Sequence, residues 1–422
     1  MTPEKLFHQM LGLGSDWEVV SCSFEQGQGV VALEIREAPN LFKSLCCPKC
    51  AGPLVGYDHT EVLEWRHLNV FEHRCHIQAR LPRAQCRDCK HTFRARPPWE
   101  GLSNGLTLAF EIYALLLARE MPVARVARAT GETDTRLWRL IRAHVEEARA
   151  KADFCNVTCV GVDEMSVRKG HHYISVFADL FHRQVLFGTE GKDASVWERF
   201  IEDLGRHNGH PHALTQVSMD MSRAYQKGVA DYCRNARVVF DKYHVIAQVN
   251  AAVDRTRKAE SSQVGSPAPQ ALRKTMWIWR KNPENLTEKE KSRLAELNCQ
   301  NLWTAKAYQM RLNLQEIYKE ELEQKAREKF LDWCRLVRVA AANAPKVIYA
   351  SMLGAAKMIE EHLEGIMAHW SHRVTNAYME GLNSVFSATK RKARGYRSVE
   401  YLLTMLYLVA GKLSLPKPTH CK

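Results

Sequence analysis

The stretch Cys159-Val160-Gly161-Val162-Asp163-Glu164 decides the fold. It is a short run of β-branched residues and glycine that ends on carboxylates. Such a run reads as a buried strand delivering an acid to the rim of a sheet. Outward from it, residues 172–179 alternate Tyr173, Ser175 and Phe177 against Ile174, Val176 and Ala178, and residues 184–188 form a third short strand. Residues 193–204 read as a helix, with Val196, Phe200, Ile201 and Leu204 on one side. A strand at 214–219 ends on Asp220, a helix spans 222–233, and a strand at 236–240 ends on Asp241. Three strands, helix, strand, helix, strand describes one compact α/β unit with acids at several strand ends.

The bulk numbers bound the rest. A chain of 422 residues is long enough for two to four domains. Its composition, 45% hydrophobic and 25% charged, is that of a globular protein with a sizeable core. A net charge of +13 and a pI near 9.1 favour a polyanionic partner, nucleic acid before an anionic membrane. No apolar run approaches the roughly 20 residues that span a bilayer, and residues 401–410 are too short and read as core. The N-terminus lacks a signal pattern, so a cytoplasmic protein with no membrane partner is expected. The 13 cysteines are odd in number and scattered, which suits thiols and metal ligands better than a disulfide framework.

Residues 1–45 hold a helix at 3–11 and two candidate strands, with Gly27 and Gly29 suited to the turn between them. Then come two C-x-x-C knuckles, Cys47 with Cys50 and Cys86 with Cys89. Four converging thiolates are what tetrahedral Zn²⁺ requires, and no carboxylate or water-activating set accompanies them, so the zinc is structural. The 35 residues between the knuckles contain strand-like pieces at 61–65 and 76–81, consistent with a long bridging hairpin. Cys46, Cys75, His73, His76 and His91 are spare ligands. Arg80, Arg83, Arg87, Lys90, Arg94 and Arg96 flank the module, as a surface that touches phosphates would require.

Past Pro97-Pro98, helices at 106–119, 122–129 and 134–150, broken by Gly131, give the outline of a helix-turn-helix. On the last of them Thr135, Arg136, Arg139 and Arg142 are the candidate DNA contacts; a plain helical hairpin is the alternative. Residues 242–258 form a further helix, 260–270 a flexible connection, and 271–370 a strongly helical region with a capping box, Thr287 with Glu290. Trp277, Trp279 and Trp303 stand there beside Arg273, Lys274, Arg280 and Lys281. Aromatics among bases can stack on nucleic-acid bases, although tryptophans in helices more often face a core.

In the last block Asn376, Glu380, Asn383, Ser387, Lys390 or Arg391, and Arg394 recur at helical spacing and form one polar face. Asp163, Asp220 and Glu380 then offer hard oxygen ligands suited to Mg²⁺ or Mn²⁺. Such ions clamp the attacking and leaving oxygens of a phosphoryl displacement, so no nucleophilic side chain is needed.

The stretches 161–179, 218–225, 240–246 and 376–396, beginning GVDEMSV, SMDMSRAY, FDKYHVI and NAYMEGL, resemble the DDE transposases of bacterial insertion sequences, specifically the ISL3 family with its N-terminal zinc finger. The resemblance runs from Cys47 to about Leu413. It implies an α/β RNase H-like catalytic core with a large all-α insertion, preceded by a small zinc-binding module and a helix-turn-helix domain. The implied division is an N-terminal α/β segment (1–45), zinc module (46–98), helix-turn-helix (103–152), first part of the core (155–258), helical insertion (259–370) and C-terminal helices completing the core (371–413). Asp163, Asp220 and Glu380 would be its catalytic triad, with Glu164 and Asp179 as substitutes. His244, in Asp241-x-x-His244, would position the scissile phosphate. Lys390, Arg391 and Arg394 would track DNA. The separation of 160 residues between Asp220 and Glu380 departs from the short spacing of many DDE enzymes; a helical insertion accounts for it. The implied partners are double-stranded DNA, as terminal inverted repeats and target, and a second copy in a homodimer or larger synaptic assembly. The implied setting is the bacterial nucleoid. A DNA-binding regulator without catalysis, or a structure-selective nuclease on the same fold, are the competing readings.

Overall fold

The computed structural model describes residues 1–168, 172–263, 268–371 and 377–417. The chain forms two compact units, Met1–Ala152 with Ser387–Lys422, and Asp153–Phe386.

In the first unit, helix α1 (Pro3–Leu11) precedes strands β1 (Trp17–Glu25) and β2 (Val30–Glu37), a short helix α2 (Leu41–Ser44), and strands β3 (Leu54–Val70), β4 (His73–Cys86) and β5 (Thr92–Arg94). One sheet holds all five, in the order β1-β2-β4-β3 with β5 against β4. The sequence boundary at residue 45 therefore falls inside a sheet, because β2 pairs in parallel with β4, Leu33 opposite Ile77. Along β4, Cys75, Ile77, Ala79 and Leu81 are buried in alternation, the period of a strand with one face on a core. Trp17 and Trp65 close that core around Trp99, whose ring meets theirs edge-on at 5.0 and 5.9 Å. The strand pieces at 61–65 and 76–81 belong to the single long β3–β4 hairpin.

Helices α3 (Leu108–Glu120), α4 (Val123–Thr130) and α5 (Asp134–Ala150) follow. Thr107 and Thr133 cap α3 and α5 by accepting the amides of Phe110 and Arg136. Gly131 ends α4 at φ +72°, where a Cβ would also lie 2.9 Å from the Arg74 guanidinium. The helices are fastened to the sheet. Arg66 of β3, 4% exposed, stacks over Phe110 at 5.3 Å. Its backbone N–H donates to Gly105 and its carbonyl accepts from Thr107, both at 3.0 Å.

The second unit begins with an antiparallel meander, β6 (Cys159–Arg168), β7 (His172–Asp179) and β8 (Gln184–Glu190). Then come α6 (Ser195–Arg206), β9 (Gln216–Met219), α7 (Arg223–Tyr232), β10 (Arg237–Phe240) and α8 (Lys242–Ser261). The sheet order is β10-β9-β6-β7-β8, with β9 parallel to β6 and β10 parallel to β9. Helix α6 buries Val196, Trp197, Phe200 and Leu204, and Phe200 stacks on Phe177 of the sheet at 4.2 Å. Strand β6 does not stop at its acids, as the sequence suggested. It runs on to Arg168 because β7 keeps pairing with it, Val176 opposite Asp163. Residues 169–171 of the family-like stretch lie outside the described residues, as does the 264–267 part of the Ser/Pro/Gly-rich connection.

The insertion is helical throughout its described residues: α9 (Ala268–Ala271), α10 (Met276–Arg280), α11 (Glu288–Asn298), α12 (Trp303–Ile317), α13 (Glu323–Ala342), α14 (Lys346–Glu361) and α15 (Leu363–Ser371). Thr287 and Glu290 form the anticipated capping box. Helices α12 and α14 pack on α8. Buried Glu260 ties α8 to α12 by accepting the amides of Trp303 and Thr304 at 2.8 and 2.7 Å. Helix α15 covers the sheet edge at β10, which would otherwise offer unpaired backbone. Helix α16 (Ala377–Ala393) starts in the second unit, and α17 (Val399–Ala410) packs on α3 and α5 in the first. The division between the two units falls within α16, at Phe386–Ser387. No helix among the described residues is long and apolar enough to cross a membrane.

Candidate active site and metal centre

The sheet register of the second unit lines up its acids. Gly161 of β6 lies opposite Ser218 of β9, and Phe240 of β10 opposite Met219. Extending those registers sets Asp163, Asp220 and Asp241 along one rim, at the carboxyl ends of β9 and β10. Ligand sites of open α/β sheets form at such ends. Ser222 donates its amide to Asp220 at 2.9 Å. Asp241 caps α8 by accepting the amide of Tyr243 at 3.0 Å.

Helix α16 brings in the late residues, and a glycine permits it. A Cβ on Gly161 would lie 2.9 Å from the buried Met379 side chain. Beside this close approach, Asn383 donates through Nδ2 to Asp163 Oδ2 at 2.5 Å. Glu380, one turn earlier, shares that helix face. Its Oε1 is buried without a hydrogen-bond partner, and so is Asn383 Oδ1. His244 completes the group, with Nε2 3.9 Å from Asp163 Oδ1 and 3.8 Å from Asp241 Oδ2. Asn376, expected at the head of this polar face, lies outside the described residues.

The cluster is short of positive charge. Burial pushes the Asp163 carboxyl up, and the neighbouring Asp220 charge adds to it. The bonds from Asn383 and the Glu164 amide, with His244 nearby, only partly offset this. Glu380 is pushed up by burial and then by Asp241 and Asp163, against Lys242 and His244. Glu164 moves the same way, chiefly by burial, with Lys192 opposing. Buried oxygens lacking partners, with too little countercharge, suit a hard divalent cation. The acids are not drawn tightly together. Among the described residues, the only group of three or more Cys, His or carboxylate ligands mutually within 4.8 Å is a different one. The substitute Asp179 is committed elsewhere, to His182 at 2.6 Å and to the amides of Phe181 and His182.

That different group is Cys47, Cys50, Cys86 and Cys89, in the first unit. Sulfur separations are 3.6 Å for Cys47–Cys89 and 3.4 Å for both Cys50–Cys86 and Cys50–Cys89. A tetrahedron with ~2.3 Å metal–sulfur bonds has edges of about 3.8 Å, whereas a disulfide has ~2.0 Å. The two knuckles are alike. Ala51 donates its amide to Cys47 and Lys90 to Cys86, at 2.8 and 3.2 Å, and Ala51 and Lys90 have φ of +57° and +58°. Burial would raise the Cys47 thiol, but the amides of Lys49 and Cys50 hold it down at about 7. The spare ligands stand apart. Cys75 is buried in the sheet core, His76 bonds Glu64 at 2.8 Å, and His91 stacks on Phe93.

The anticipated DNA contacts separate into two kinds. Thr135 and Arg139 are exposed on α5. Arg136 instead braces the loop before α3, donating to the carbonyls of Asn104 and Gly105 at 3.2 and 2.7 Å and pairing with Glu132. Arg142 pairs with Glu146 and Glu400. Lys390, Arg391 and Arg394 follow Glu380 along α16 and its end, but they group with the first unit. Of the tryptophans, Trp279 is core at 2% exposure, Trp303 packs edge-on against Tyr349, and Trp277 is 59% exposed.

Comparisons with known proteins agree with this layout. A family model described as a transposase, the DDE domain of ISL3, matches residues 160–406. The helix-turn-helix domain of transposase family ISL3 matches 104–145, and the zinc-finger of transposase IS204/IS1001/IS1096/IS1165 matches 43–89. The chain is 26% identical over 388 residues to the transposase for insertion sequence element IS1001 of Bordetella parapertussis, covering 89% of this chain and 93% of that protein. It is 24% identical over 449 residues to the transposase for insertion sequence element IS1557 of Mycobacterium tuberculosis, covering 98% and 97%.

Proposed function

The chain belongs to the ISL3 family of transposases, and from that premise we propose that it binds the terminal inverted repeats of an insertion sequence, cuts their ends and joins them to target DNA. Asp163, Asp220 and Glu380 are the residues proposed to hold Mg²⁺ or Mn²⁺. Such an ion, when bound, supplies Lewis acidity to the attacking and leaving oxygens. The chain's own residues do the rest. Asn383 fixes the rotation of the Asp163 carboxylate, and His244, between Asp163 and Asp241, positions the scissile phosphate. Asp241 holds the first turn of α8, and so the His244 ring, in place. The sheet order, three antiparallel strands followed by two parallel ones, supports an RNase H-like core. The four cysteines hold structural Zn²⁺, and Thr135 and Arg139 carry the helix-turn-helix contacts with DNA. Lys390, Arg391 and Arg394 track its backbone. Because two ends must be joined in one event, the working form is a homodimer or larger synaptic assembly at the bacterial nucleoid, in the cytoplasm.

One observation carries this reading: Asn383 and Glu380 arrive at Asp163 from more than 200 residues further along the chain, and a buried Glu380 oxygen there has no partner. A regulator that only binds DNA has no use for such a convergence. The test is cleavage of DNA bearing the element's own ends. The expected result is Mg²⁺-dependent cutting and joined products, both reduced at least a thousandfold in Asp163→Ala. Cutting without joining would favour a structure-selective nuclease, and cutting that survives Asp163→Ala would remove the carboxylate reading.

A further inference from the structure

Helix α8 carries a second feature on the face beside His244. Tyr243, Ile246, Ala247 and Asn250 recur at helical spacing and line a groove of about 410 Å³. Its other wall comes from the insertion, through Arg280 to Asn282 and through Arg311 with Gln315 on α12. The volume lies within the range of ligand sites.

The groove is unusual in its charge. Arg311 is 1% exposed, yet no carboxylate pairs with it among the described residues. Its guanidinium donates to neutral acceptors, Asn282 Oδ1, Gln315 Oε1 at 2.9 Å and the carbonyls of Lys281 and Arg280 at 3.0 and 3.4 Å, and the nearest acid acting on it, Glu284, makes no ion pair with it. Its Nε has no partner, and neither does Asn250 Oδ1. A buried cation with no acid in direct contact is costly, and an anion arriving in the groove would add to the partial relief that Glu284 gives. Arg280 and Lys281 add charge at the rim, although each also meets an acid, Asp254 and Glu290.

Aromatic rings stand beside this charge. Tyr243, in the groove lining, is 52% exposed, and Trp277, just outside the lining, is 59% exposed with its ring 5.6 Å from the Arg280 guanidinium. Tyr243 also marks the end of the groove nearest the acids, since it stands in the first turn of α8 between Asp241 and His244. A basic groove with exposed aromatics is the arrangement that holds single-stranded nucleic acid, phosphates on cations and bases on rings.

We propose that the groove between α8 and the insertion binds a single-stranded segment of the DNA next to the cleavage site, with Arg280 and Lys281 meeting its phosphates above the buried Arg311 charge and Trp277 and Tyr243 stacking its bases. This rests on the transposase reading, in which strands must separate from the duplex around the cut, and gives the helical insertion a substrate-holding role.

The test needs no catalysis. A single-stranded DNA of about 16 nucleotides, carrying 5-iododeoxyuridine, is irradiated with the metal-free full-length chain, and the attached peptides are found by mass spectrometry. Adducts on Trp277 or Tyr243 are expected. Trp277→Ala should weaken binding of this strand roughly tenfold, Trp277→Phe should restore most of it, and duplex affinity should not change. Adducts confined to residues 1–152 and 387–422, or strand affinity within twofold in Trp277→Ala, would overturn the proposal. Because no cutting is measured, failure here is distinct from the failure signalled by cleavage surviving Asp163→Ala.

Discussion

The molecule carries two candidate metal centres built on opposite principles. In the first unit, four sulfurs lie within 4.8 Å of one another on two matching turns, three of the pairs at 3.4–3.6 Å. That geometry is complete, as a structural zinc site requires. In the second unit the acids are spread along a rim, the Asp163 and Glu380 carboxyls are raised by burial, and a Glu380 oxygen has no partner. Four thiolates would fill the coordination sphere of a metal at the first centre. The few carboxylates of the second would leave positions open to substrate oxygens. A reader can therefore separate a metal that holds a fold from one that would work on a substrate by asking whether the protein alone satisfies the site.

This contrast can be broken most forcefully at the zinc. Stripping it with a chelator, or substituting Cys86→Ser, should cost on the order of 10 kcal/mol of local folding free energy. The β3–β4 hairpin should then lose its hydrogen-exchange protection near the knuckles and duplex binding should collapse. Retention of both would show the thiols to be idle. A smaller effect is expected at the glycine that lets α16 approach the sheet. Gly161→Ala should overpack against Met379 and Leu180 and destabilise the second unit by about 1–3 kcal/mol. It should also lower cleavage by displacing Glu380 and Asn383, while zinc content stays unchanged. Full cleavage with normal stability would mean that the close approach does not set the site.

The two centres were unequally legible in the sequence. The cysteine spacing specifies its chemistry locally, so the ligand set could be read directly. Asp163 and Asp220 could be read as rim acids because the strand order and short connections favour adjacent parallel strands. Asn383 shared a recognisable face with Glu380, but only the Gly161–Met379 contact shows that this face meets the sheet. Long-range pairing was invisible. Nothing in residues 30–37 announces a parallel partner in β4, and nothing marks Arg136 as a brace for the Asn104–Gly105 loop. An arginine on an exposed helix face looks the same in sequence whether it meets a phosphate or a carbonyl.

The carboxylate rim is proposed to take a divalent cation. Raised carboxyls favour the folded state at low pH, below their unfolded values, and that contribution is lost as pH rises through the higher folded values. At pH 7 without metal, Asp163 and Glu380 should therefore weaken the fold. The most direct test is thermal unfolding of the full chain at pH 7 with and without Mn²⁺, for wild type and for Glu380→Gln with Asp163→Asn. The account predicts that Mn²⁺ raises the Tm of wild type by a few degrees, while the double variant starts higher and does not respond. An equal Mn²⁺ response in both proteins, or a double variant less stable than wild type without metal, would contradict it.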